Sequence, residues 1–290
     1  MILFRKFESF LAQKLVNVLP DSLYLKLMFH RRVGYYPNLK NPRTYNEKLQ
    51  WLKLHNQRPE YTEMVDKLEA KKYVASKIGE EYIIPTLGVW NSVEEIDWNS
   101  LPNQFVLKVT GDSGGIVVCS DKNFLDVDSA KKKLIKGWGK NYYKYNKEYP
   151  YRDIKPRIIA EQYMVDESGY ELKDYKFFCF NGEPKYLFVA TDRQNKGEET
   201  KFDFFDLDWN HIPVVNGHPN NPQRPQCPEN FEEMIRIAKE LSAKIPHVRV
   251  DLYNINGKIY FGELTFFHWS GMVAYEPIEW DYKFGEYIRI

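Results

Sequence analysis

The 290-residue sequence has few cysteines, almost no net charge and no long apolar run, and each shortage excludes a class of protein. Cys119, Cys179 and Cys227 are odd in number, far apart and without C-x-x-C spacing, which argues against a disulfide framework or a zinc site and fits a reducing cytoplasm. Lysine plus arginine number 41 against 40 acidic residues, so no net field attracts nucleic acid or an anionic bilayer. No apolar run approaches the ~20 residues that span a membrane.

The N-terminal twenty residues contain charged side chains that interrupt their apolar stretch, so they do not form a signal peptide. Their apolar residues recur at helical spacing: Phe7, Phe10, Leu11, Leu15 and Val18. The spacing predicts an amphipathic helix. Two roles stay open for this helix, docking on the protein body and contact with a membrane surface.

The pattern of the chain changes from helical to mixed near residue 80. Thr44 followed by Glu47 is a capping box that predicts a helix start, and a second helix is predicted from Tyr61 to Ile78. From Tyr82 onward short β-type runs alternate with helical segments. We therefore predict an α+β protein with a helical region at 1–80, a first lobe at 81–164 and a second lobe at 165–290.

The stretch RVDLYNINGKIYFGELT, residues 249–265, predicts a β-hairpin that carries one carboxylate on each strand. A two-residue turn at Asn256 and Gly257 would place Asp251 and Glu263 on opposite faces. A three-residue loop with Gly257 in the left-handed conformation places both acids on one polar face and gathers the apolar residues on the other. We prefer the three-residue loop, because it presents two oxygen ligands suited to magnesium on neighbouring strands. A plain surface hairpin with solvated acids is the alternative.

Three cationic side chains occur in or at the ends of apolar strands. Lys108 lies in FVLKV and is followed by a glycine-rich loop, whose backbone N–H groups can approach phosphate oxygens. Lys176 lies in DYKFF and Arg193 ends the next strand, ATDR. A lysine in an apolar strand needs a negatively charged partner, and a phosphate group meets that need. The alternative is a purely structural one, in which Lys108 lies on an edge strand beside a glycine-rich hairpin loop and binds no phosphate.

These elements in this order resemble the ATP-grasp fold, and specifically its TupA-like (teichuronopeptide biosynthesis) family. The resemblance extends from about residue 38 to the C-terminus and rests on strings such as NPRTYNEKLQWLK, KPRIIAEQYM, DYKFFCFNGEPKY and VRVDLYNINGKIYFGELTF. It implies two α+β lobes that clasp ATP and Mg²⁺.

The resemblance also implies roles for individual residues. Phosphate contacts are implied for Lys108, Lys176, Gly111, Ser113, Gly114 and Gly115. Adenine contacts are implied for the hinge residues Glu161, Gln162, Tyr163 and Met164. Magnesium ligation is implied for Asp251 and Glu263, with Thr265 at the position where ATP-grasp enzymes usually have an asparagine. Lys176 and Arg193 would stabilise the transferred phosphoryl group. The following FHWSGM loop is our candidate for binding the acceptor, through His268, Ser270 and Gly271, although His268 is equally well explained as a packed loop histidine. Arg249 of the hairpin is a further candidate substrate residue.

The function implied by the resemblance is an ATP-dependent carboxylate-amine ligase that works through an acyl phosphate. By analogy, the carboxylate is a uronic acid of a cell-surface polysaccharide precursor and the amine is an amino acid, in the cytoplasm or at the inner face of the membrane. A glycosyltransferase is one alternative, because Asp206-Leu207-Asp208 forms a D-x-D pattern. A degenerate nucleotide-binding module is another, since Thr265 and Asp112 depart from the family pattern.

Overall fold

The computed structural model describes residue 16 and residues 18–193 and 197–290. The N-terminal amphipathic helix predicted around Phe7 to Leu15 lies outside the described residues. None of the helices in the described part is long and apolar enough to cross a membrane.

In the described chain four helices precede the first strand, and the remaining helices lie between groups of strands or after the last one. The helices are α1 (Asp21–Val33), α2 (Tyr45–His55), α3 (Tyr61–Val65), α4 (Glu69–Ile78), α5 (Val127–Trp138), α6 (Tyr142–Asn146), α7 (Phe231–Ser242) and α8 (Glu279–Tyr287). The strands are β1 (Thr86–Trp90), β2 (Phe105–Val109), β3 (Ile116–Cys119), β4 (Ile158–Gln162), β5 (Asp174–Phe180), β6 (Glu183–Thr191), β7 (Lys201–Asp206), β8 (His211–Ile212), β9 (His247–Ile255) and β10 (Lys258–Thr265). Short 3-10 segments include Tyr149–Tyr151 and His268–Gly271.

The strands form two antiparallel sheets that correspond to the two predicted lobes. The first sheet has four strands in the order β1-β4-β2-β3, and the second has six in the order β10-β9-β5-β6-β7-β8. The first sheet packs on α5 around a small apolar core that includes Leu107, Leu134 and Ala160. The second sheet is far richer in aromatic side chains, among them Phe177, Phe178 and Phe188. The mixed helix and strand content agrees with the α+β prediction.

Helices α2, α3 and α4, which precede the first sheet, belong to the core of the second lobe. Tyr45 of α2 is fully buried, and its hydroxyl lies 2.9 Å from His247 Nε2 of β9. Its ring packs edge-on against Phe178 of β5 at a centroid distance of 6.0 Å. Residues of α2, α3 and α4 share one continuous apolar cluster with the six-stranded sheet. The predicted boundary at residue 80 therefore does not separate two hydrophobic cores.

The capping box is present, but the helix that was predicted from Tyr61 to Ile78 is wrong as a single element. Thr44 Oγ1 accepts a hydrogen bond from the Glu47 amide at 3.2 Å, and the Glu47 carboxylate accepts one from the Thr44 amide. Asp66 ends α3 with an extended backbone, and its carboxylate accepts hydrogen bonds from the first amides of the next helix, at 2.9 and 3.1 Å. An aspartate that competes for backbone amides interrupts a helix in this way.

The hairpin of β9 and β10 has a different turn from the predicted one. Ile255 pairs with Lys258, so the loop is the two-residue Asn256-Gly257 turn, with φ values of 51° and 79°. The predicted three-residue loop is wrong. The register shifts between Phe261 and Glu263, however, because a bulge occurs at Gly262, and Glu263 then pairs with Asp251. A bulge adds one residue to one strand and so reverses its side-chain alternation. The prediction that the two acids share a face is confirmed.

Candidate functional site

A cleft of about 770 Å³ lies between the two sheets, and most of the predicted site residues line it. Predicted residues on its wall are Lys108, Ser113, Tyr163, Lys176, Arg193, Arg249, Glu263, Thr265, His268 and Ser270. Further wall residues that the sequence did not indicate include Arg32, Lys67, Asn146, Glu148, Tyr151 and Asp174. The cleft has an apolar end, a charged centre and a polar far end, which are described in turn.

The charged centre is built on the polar face of β5, β9 and β10. Lys176 pairs across the sheet with Asp251, and Asp251 pairs with Glu263. The Lys176 ammonium forms an ion pair with Asp251 and lies 3.4 Å from Asp174 Oδ1. Burial lowers the pKa of Lys176, and the nearby Asp251 opposes that change. A cationic side chain in this strand is thus stabilised by carboxylates in the absence of any phosphate.

Arg249 links the acidic residues at the centre of the site. Its guanidinium donates two hydrogen bonds of 2.7 Å to Asp251, one to each carboxylate oxygen. The same group reaches Glu263 Oε1 at 3.2 Å and Thr265 Oγ1 at 3.1 Å. Burial alone would lower the pKa of Arg249, but the adjacent Asp251 raises it above its ordinary value. Arg249 is therefore a fixed cation among the predicted metal ligands, on the polar face of the hairpin where the alternation of the sequence places it.

His268 holds Arg249 in place and is neutral. Its Nδ1 lies 2.5 Å from Arg249 Nη1, and its Nε2 lies 2.8 Å from Asn216 Oδ1. Guanidinium nitrogen atoms only donate hydrogen bonds, so Nδ1 accepts and the proton resides on Nε2, which donates to Asn216. Burial, together with the charge of Arg249, places the pKa of His268 well below its usual value. The structure thus gives His268 a positioning role beside Arg249, rather than direct exposure to an acceptor.

Arg193 enters the centre from the end of β6. It forms an ion pair with Asp174, and 44% of its side chain remains exposed. Asp174 is almost fully buried and also approaches Lys176. A single carboxylate therefore orients the two residues that were predicted to stabilise a transferred phosphoryl group.

The wall contributed by the first sheet carries Lys108, which is anchored by Glu161. Lys108 Nζ and Lys71 Nζ each lie 2.5 Å from a different oxygen of the Glu161 carboxylate. Burial alone would raise the pKa of Glu161, but Lys108 and Lys71 lower it to about 2. The Glu161 carboxylate is occupied by two lysines, so the geometry does not favour its predicted contact with adenine. Its observed role is to hold Lys108 at the cleft.

The glycine-rich loop packs tightly, and its aspartate points away from the cleft. Asp112 accepts a hydrogen bond of 2.7 Å from the Tyr142 hydroxyl and two of 3.2 Å from Lys140. Burial alone would raise the pKa of Asp112, but these partners lower it. Ser113 lines the cleft and lies 2.5 Å from the same tyrosine hydroxyl. A Cβ on Gly115 would lie only 3.0 Å from the Asp112 carboxylate, so a larger residue there would require the Asp112 side chain to shift.

Lys67 is a site residue that the sequence analysis missed. It follows Asp66, which ends α3, and its ammonium donates a hydrogen bond of 2.6 Å to the Asp112 carbonyl. Burial lowers the pKa of Lys67, and the charge of Glu263 from the opposite lobe opposes this effect. The signal in the sequence was Asp66, an aspartate inside the predicted helix that could end it. The helix break at Asp66 places Lys67 on the cleft wall.

The apolar end of the cleft lies beside β2, β3 and the hinge. Its wall residues there are Val106, Ile116, Val118, Tyr163 and Leu172. Val118 is 48% exposed, so its side chain is accessible from the cleft. An apolar slot of this kind suits a flat aromatic ring. Of the four predicted hinge contacts, only Tyr163 lines the cleft, whereas Glu161, Gln162 and Met164 do not.

The far end of the cleft is formed by the His268–Gly271 turn and the helices behind it. Trp269, Ser270 and Gly271 all have positive φ values, of 48°, 58° and 60°. Gln50 Nε2 donates to the carbonyls of Ser270 and Gly271 at 3.0 and 2.8 Å. A Cβ on Gly271 would lie 2.8 Å from Leu49 Cβ, so this predicted residue supports the turn and does not line the cleft.

The D-x-D pattern lies at the end of β7, where it forms a turn. Asp206 Oδ1 accepts hydrogen bonds from the amides of Asp208 and Asn210 at 3.0 and 2.8 Å, and Asp206 Oδ2 accepts one from the Asn210 side chain. Neither aspartate lines the cleft. This motif is a turn cap, which removes the sequence feature that favoured a glycosyltransferase.

The acidic residues of the centre fit a magnesium ion that is held mainly by phosphate groups. In the described part of the chain, no group of three or more His, Cys, Asp or Glu side chains could hold a metal ion alone. Asp251 has about four acceptor sites, and Arg249 and Lys176 occupy three of them. Glu263 is more open, with 40% of its side chain exposed. Magnesium commonly takes one or two carboxylates and completes its shell with phosphate and water.

Two sheets that enclose a cleft with lysines on both walls, an apolar slot and an acidic hairpin define the ATP-grasp class. A family model described as TupA-like ATPgrasp matches residues 47–289, and the chain belongs to this family. No curated protein matches the chain.

The chain is also similar to solved structures. One is a D-alanine–D-alanine ligase from Bacillus anthracis complexed with ATP, with 13% identity over 70% of this chain and 53% of that one, at a TM-score of 0.40. Another is the D-cycloserine synthetase DcsG, with 12% identity over 78% and 71% and a TM-score of 0.41. A third is the ATP-grasp ligase PsnB complexed with minimal precursor, Mg and ADP, with 11% identity over 76% and 57% and a TM-score of 0.38. The chain spans about half the length of the first and third.

Proposed function

We propose that the protein is an ATP-dependent ligase that joins a carboxylate to an amine through an acyl phosphate, with release of ADP and phosphate. The observation that carries the proposal is the charged centre of the cleft. There, Glu263 and Asp251 face Lys176 and Arg249 on one sheet, while Lys108 approaches from the other. Phosphoryl transfer needs positioning and neutralisation of charge that is spread over the phosphoryl oxygens. A centre with several fixed cations beside two acids supplies both.

Each part of the cleft supports one part of this reaction. The apolar slot at Val106, Ile116 and Val118 suits the adenine ring of ATP. Lys108 and Lys67 suit the phosphate groups, since both ammonium groups are already held in place, by Glu161 and by the Asp112 carbonyl. Preorganised cations stabilise developing charge without further reorganisation.

Glu263 and Asp251 would hold magnesium, with the Thr265 hydroxyl 3.2 Å from Glu263 Oε1 beside them. When bound, the ion neutralises phosphate charge and orients the phosphoryl group. Arg249 is kept at the reacting centre by Asp251 and His268, and Arg193 by Asp174. These two arginines would bind the substrate carboxylate and the transferring group.

For the substrates, we propose a uronic acid of a cell-surface polysaccharide precursor and an amino acid, with reaction in the cytoplasm or at the inner face of the membrane. Family membership supports this assignment by analogy. The polar and aromatic lining of the far end, with Trp269, Phe202 and Ser270, also suits a hydrated ring with an apolar face.

The test is a matrix assay of the purified protein with Mg-ATP. Uronic acids are crossed with amino acids, ADP release is followed, and products are identified by mass. Release of ADP only when acid and amine are both present, with a product of the amide mass, supports the ligase. Release of UDP from a UDP-sugar without ADP would replace the proposal with glycosyl transfer. Binding of ATP without turnover under any pairing would indicate a degenerate nucleotide-binding module.

A further inference from the structure

The far end of the cleft contains a buried carboxylate, Glu148, that the proposed roles leave unused. Glu148 precedes the Tyr149–Tyr151 turn, lines the cleft and is only 6% exposed. The side chains of Ser270 and Asn146 lie beside its carboxylate and lower its pKa, against the larger effect of burial. Removing a carboxylate from water costs free energy unless charged or polar partners surround it. The neighbouring segments provide such partners for Glu148.

Lys53 of α2 supports Glu148 from behind, through Ser270. Lys53 is 1% exposed, and its ammonium donates hydrogen bonds of 2.7 Å to Ser270 Oγ and 2.8 Å to the Ser270 carbonyl. Since Ser270 Oγ accepts from Lys53, its own hydroxyl proton is available for Glu148. The left-handed backbone at Ser270 is unfavourable for a residue with a side chain. Ser270, in this strained conformation, lies between Lys53 and Glu148 and connects them.

A positive charge of α1 faces the same end of the cleft. Arg32 lines the cleft, approaches Met272 Sδ at 3.4 Å, and interacts electrostatically with Glu148. Tyr151 lines the same wall, and burial together with the charges of Glu148 and Glu263 raises the pKa of its phenol. Glu148 therefore lies along the same stretch of cleft as the reacting centre.

We propose that Glu148 and Arg32 form the subsite for the amine substrate, which binds as an α-amino acid zwitterion, and that Glu148 is the base for the amine. The ammonium group lies at Glu148, with Asn146 as a further acceptor, and the carboxylate lies at Arg32. This inference rests on the proposed ligase function and assigns its second substrate to named residues.

The reaction step balances as follows in protons and electrons. The Glu148 carboxylate takes one proton from the ammonium group, and the freed nitrogen lone pair forms a C–N bond to the acyl carbon. The C–O bond to phosphate then breaks, and phosphate leaves with its electron pair. The second proton lost from nitrogen goes to the departing phosphate, and Glu148 returns its proton to water.

The Glu148 carboxyl is buried and poorly solvated. Burial raises the pKa of Glu148, and Lys53 opposes that rise. A carboxylate in this environment accepts a proton more readily than one in water, which is the property that a general base needs.

The test separates the two half-reactions of the ligase in the Glu148→Gln variant, which preserves side-chain shape. Hydroxylamine is largely unprotonated at pH 7.5, so it attacks an acyl phosphate without a base. Both assays contain Mg-ATP and a panel of uronic acids. In the first, hydroxylamine is added and the hydroxamate that forms measures the acyl phosphate. In the second, an equimolar mixture of the twenty L-amino acids is added and the amide product is measured. We expect the Glu148→Gln variant to form hydroxamate but to lose amide formation by ~100-fold or more. The matched control is Asp153→Asn, which also replaces a carboxylate with a carboxamide, but at a nearby exposed residue. It should change the amount of neither product.

Each outcome bears on the proposal. Equal amide formation by the Glu148→Gln variant and the wild type would overturn it, and so would parallel loss of hydroxamate and amide in a folded variant. Arg32→Ala should raise the KM for the amino acid while leaving the KM for the uronic acid unchanged.

Failure of the wild-type protein to form hydroxamate would contradict the proposed ligase function separately. In that event saturation-transfer NMR with the same amino-acid mixture decides the subsite. Signals from the wild type that disappear in both variants support it, and no signal from the wild type overturns it.

Discussion

Replacement of Lys71 by methionine tests the buried ion pairs that anchor the cleft lysine. Lys71 Nζ lies 2.5 Å from Glu161 and donates hydrogen bonds to the Ile84 carbonyl at 2.7 Å and to Thr86 Oγ1 at 3.1 Å. Lys71 does not line the cleft, so its replacement removes support for Lys108 without removing a wall residue.

The magnitude follows from the pKa of Glu161, which the two lysines lower from 4.5 to about 2. At ~1.36 kcal/mol per pH unit, this change corresponds to about 3 kcal/mol shared by the two lysines. Loss of one lysine should therefore cost about 1.5 kcal/mol. The unpaired Ile84 carbonyl adds about 1 kcal/mol. We expect Lys71→Met to lower the free energy of unfolding by about 2 to 3 kcal/mol at pH 7.

The measurement is urea unfolding of the wild type and the variant between pH 7 and pH 3. Because the pKa of Glu161 is lowered by folding, its stabilising contribution is present above pH 4.5 and is lost as pH falls towards 2. The difference between the proteins should be largest at pH 7 and should shrink below about pH 4.5. Glu161→Gln combined with Lys71→Met should lose less than the sum of the single changes. A destabilisation below about 0.5 kcal/mol, or one that is independent of pH, would refute the reasoning.

Three further predictions concern the site and its support. Glu263→Gln should reduce ADP formation by ~100-fold or more, yet change the free energy of unfolding by less than about 1 kcal/mol, because its side chain is 40% exposed; enzyme assay and urea unfolding measure the two. Gly271→Ala should destabilise the protein by at least ~2 kcal/mol more than Gly169→Ala in urea unfolding. Both glycines have positive φ, but only Gly271 lacks space for a Cβ; equal losses would contradict the packing argument. Asp206→Ala should retain full ADP formation, since Asp206 caps a turn outside the cleft; loss of activity in a folded variant would restore the D-x-D motif as a site.

The hairpin shows what the sequence could predict and where it failed. The alternation of polar and apolar residues correctly placed Asp251 and Glu263 on one face, because burial of the other face leaves no choice. The same alternation misassigned the turn, because it was assumed to be continuous along β10. The buried residues are Ile259 and Phe261 before the bulge and Leu264 and Phe266 after it. Residues on one face of a regular strand recur every second position. The three-residue step from Phe261 to Leu264 was therefore the signal in the sequence for a bulge at Gly262.

The residues that the sequence missed are those whose roles depend on contacts between distant segments. Glu148, Lys53 and Arg32 lie in three separate segments that pack together only in the folded chain. The sequence analysis placed Lys67 inside a helix, because the helical spacing of apolar residues gives no sign that Asp66 ends the first of two helices. Family membership could be predicted because it rests on several motifs in a fixed order, and the family model over residues 47–289 confirms it. The individual contacts of the site remain predictions for experiment.

The shared core of the N-terminal helices and the six-stranded sheet has a consequence for motion. Helices α2 to α4 and the six-stranded sheet form one apolar cluster, while the first sheet has its own. Cleft closure would therefore move the strand bearing Lys108 and its glycine loop as a lid over the second sheet as a floor, with the Lys71–Glu161 and Lys67–Asp112 contacts joining lid and floor. The floor carries Glu263, Arg249 and Glu148, so the acid and amine would meet on a rigid surface whether the lid is open or shut.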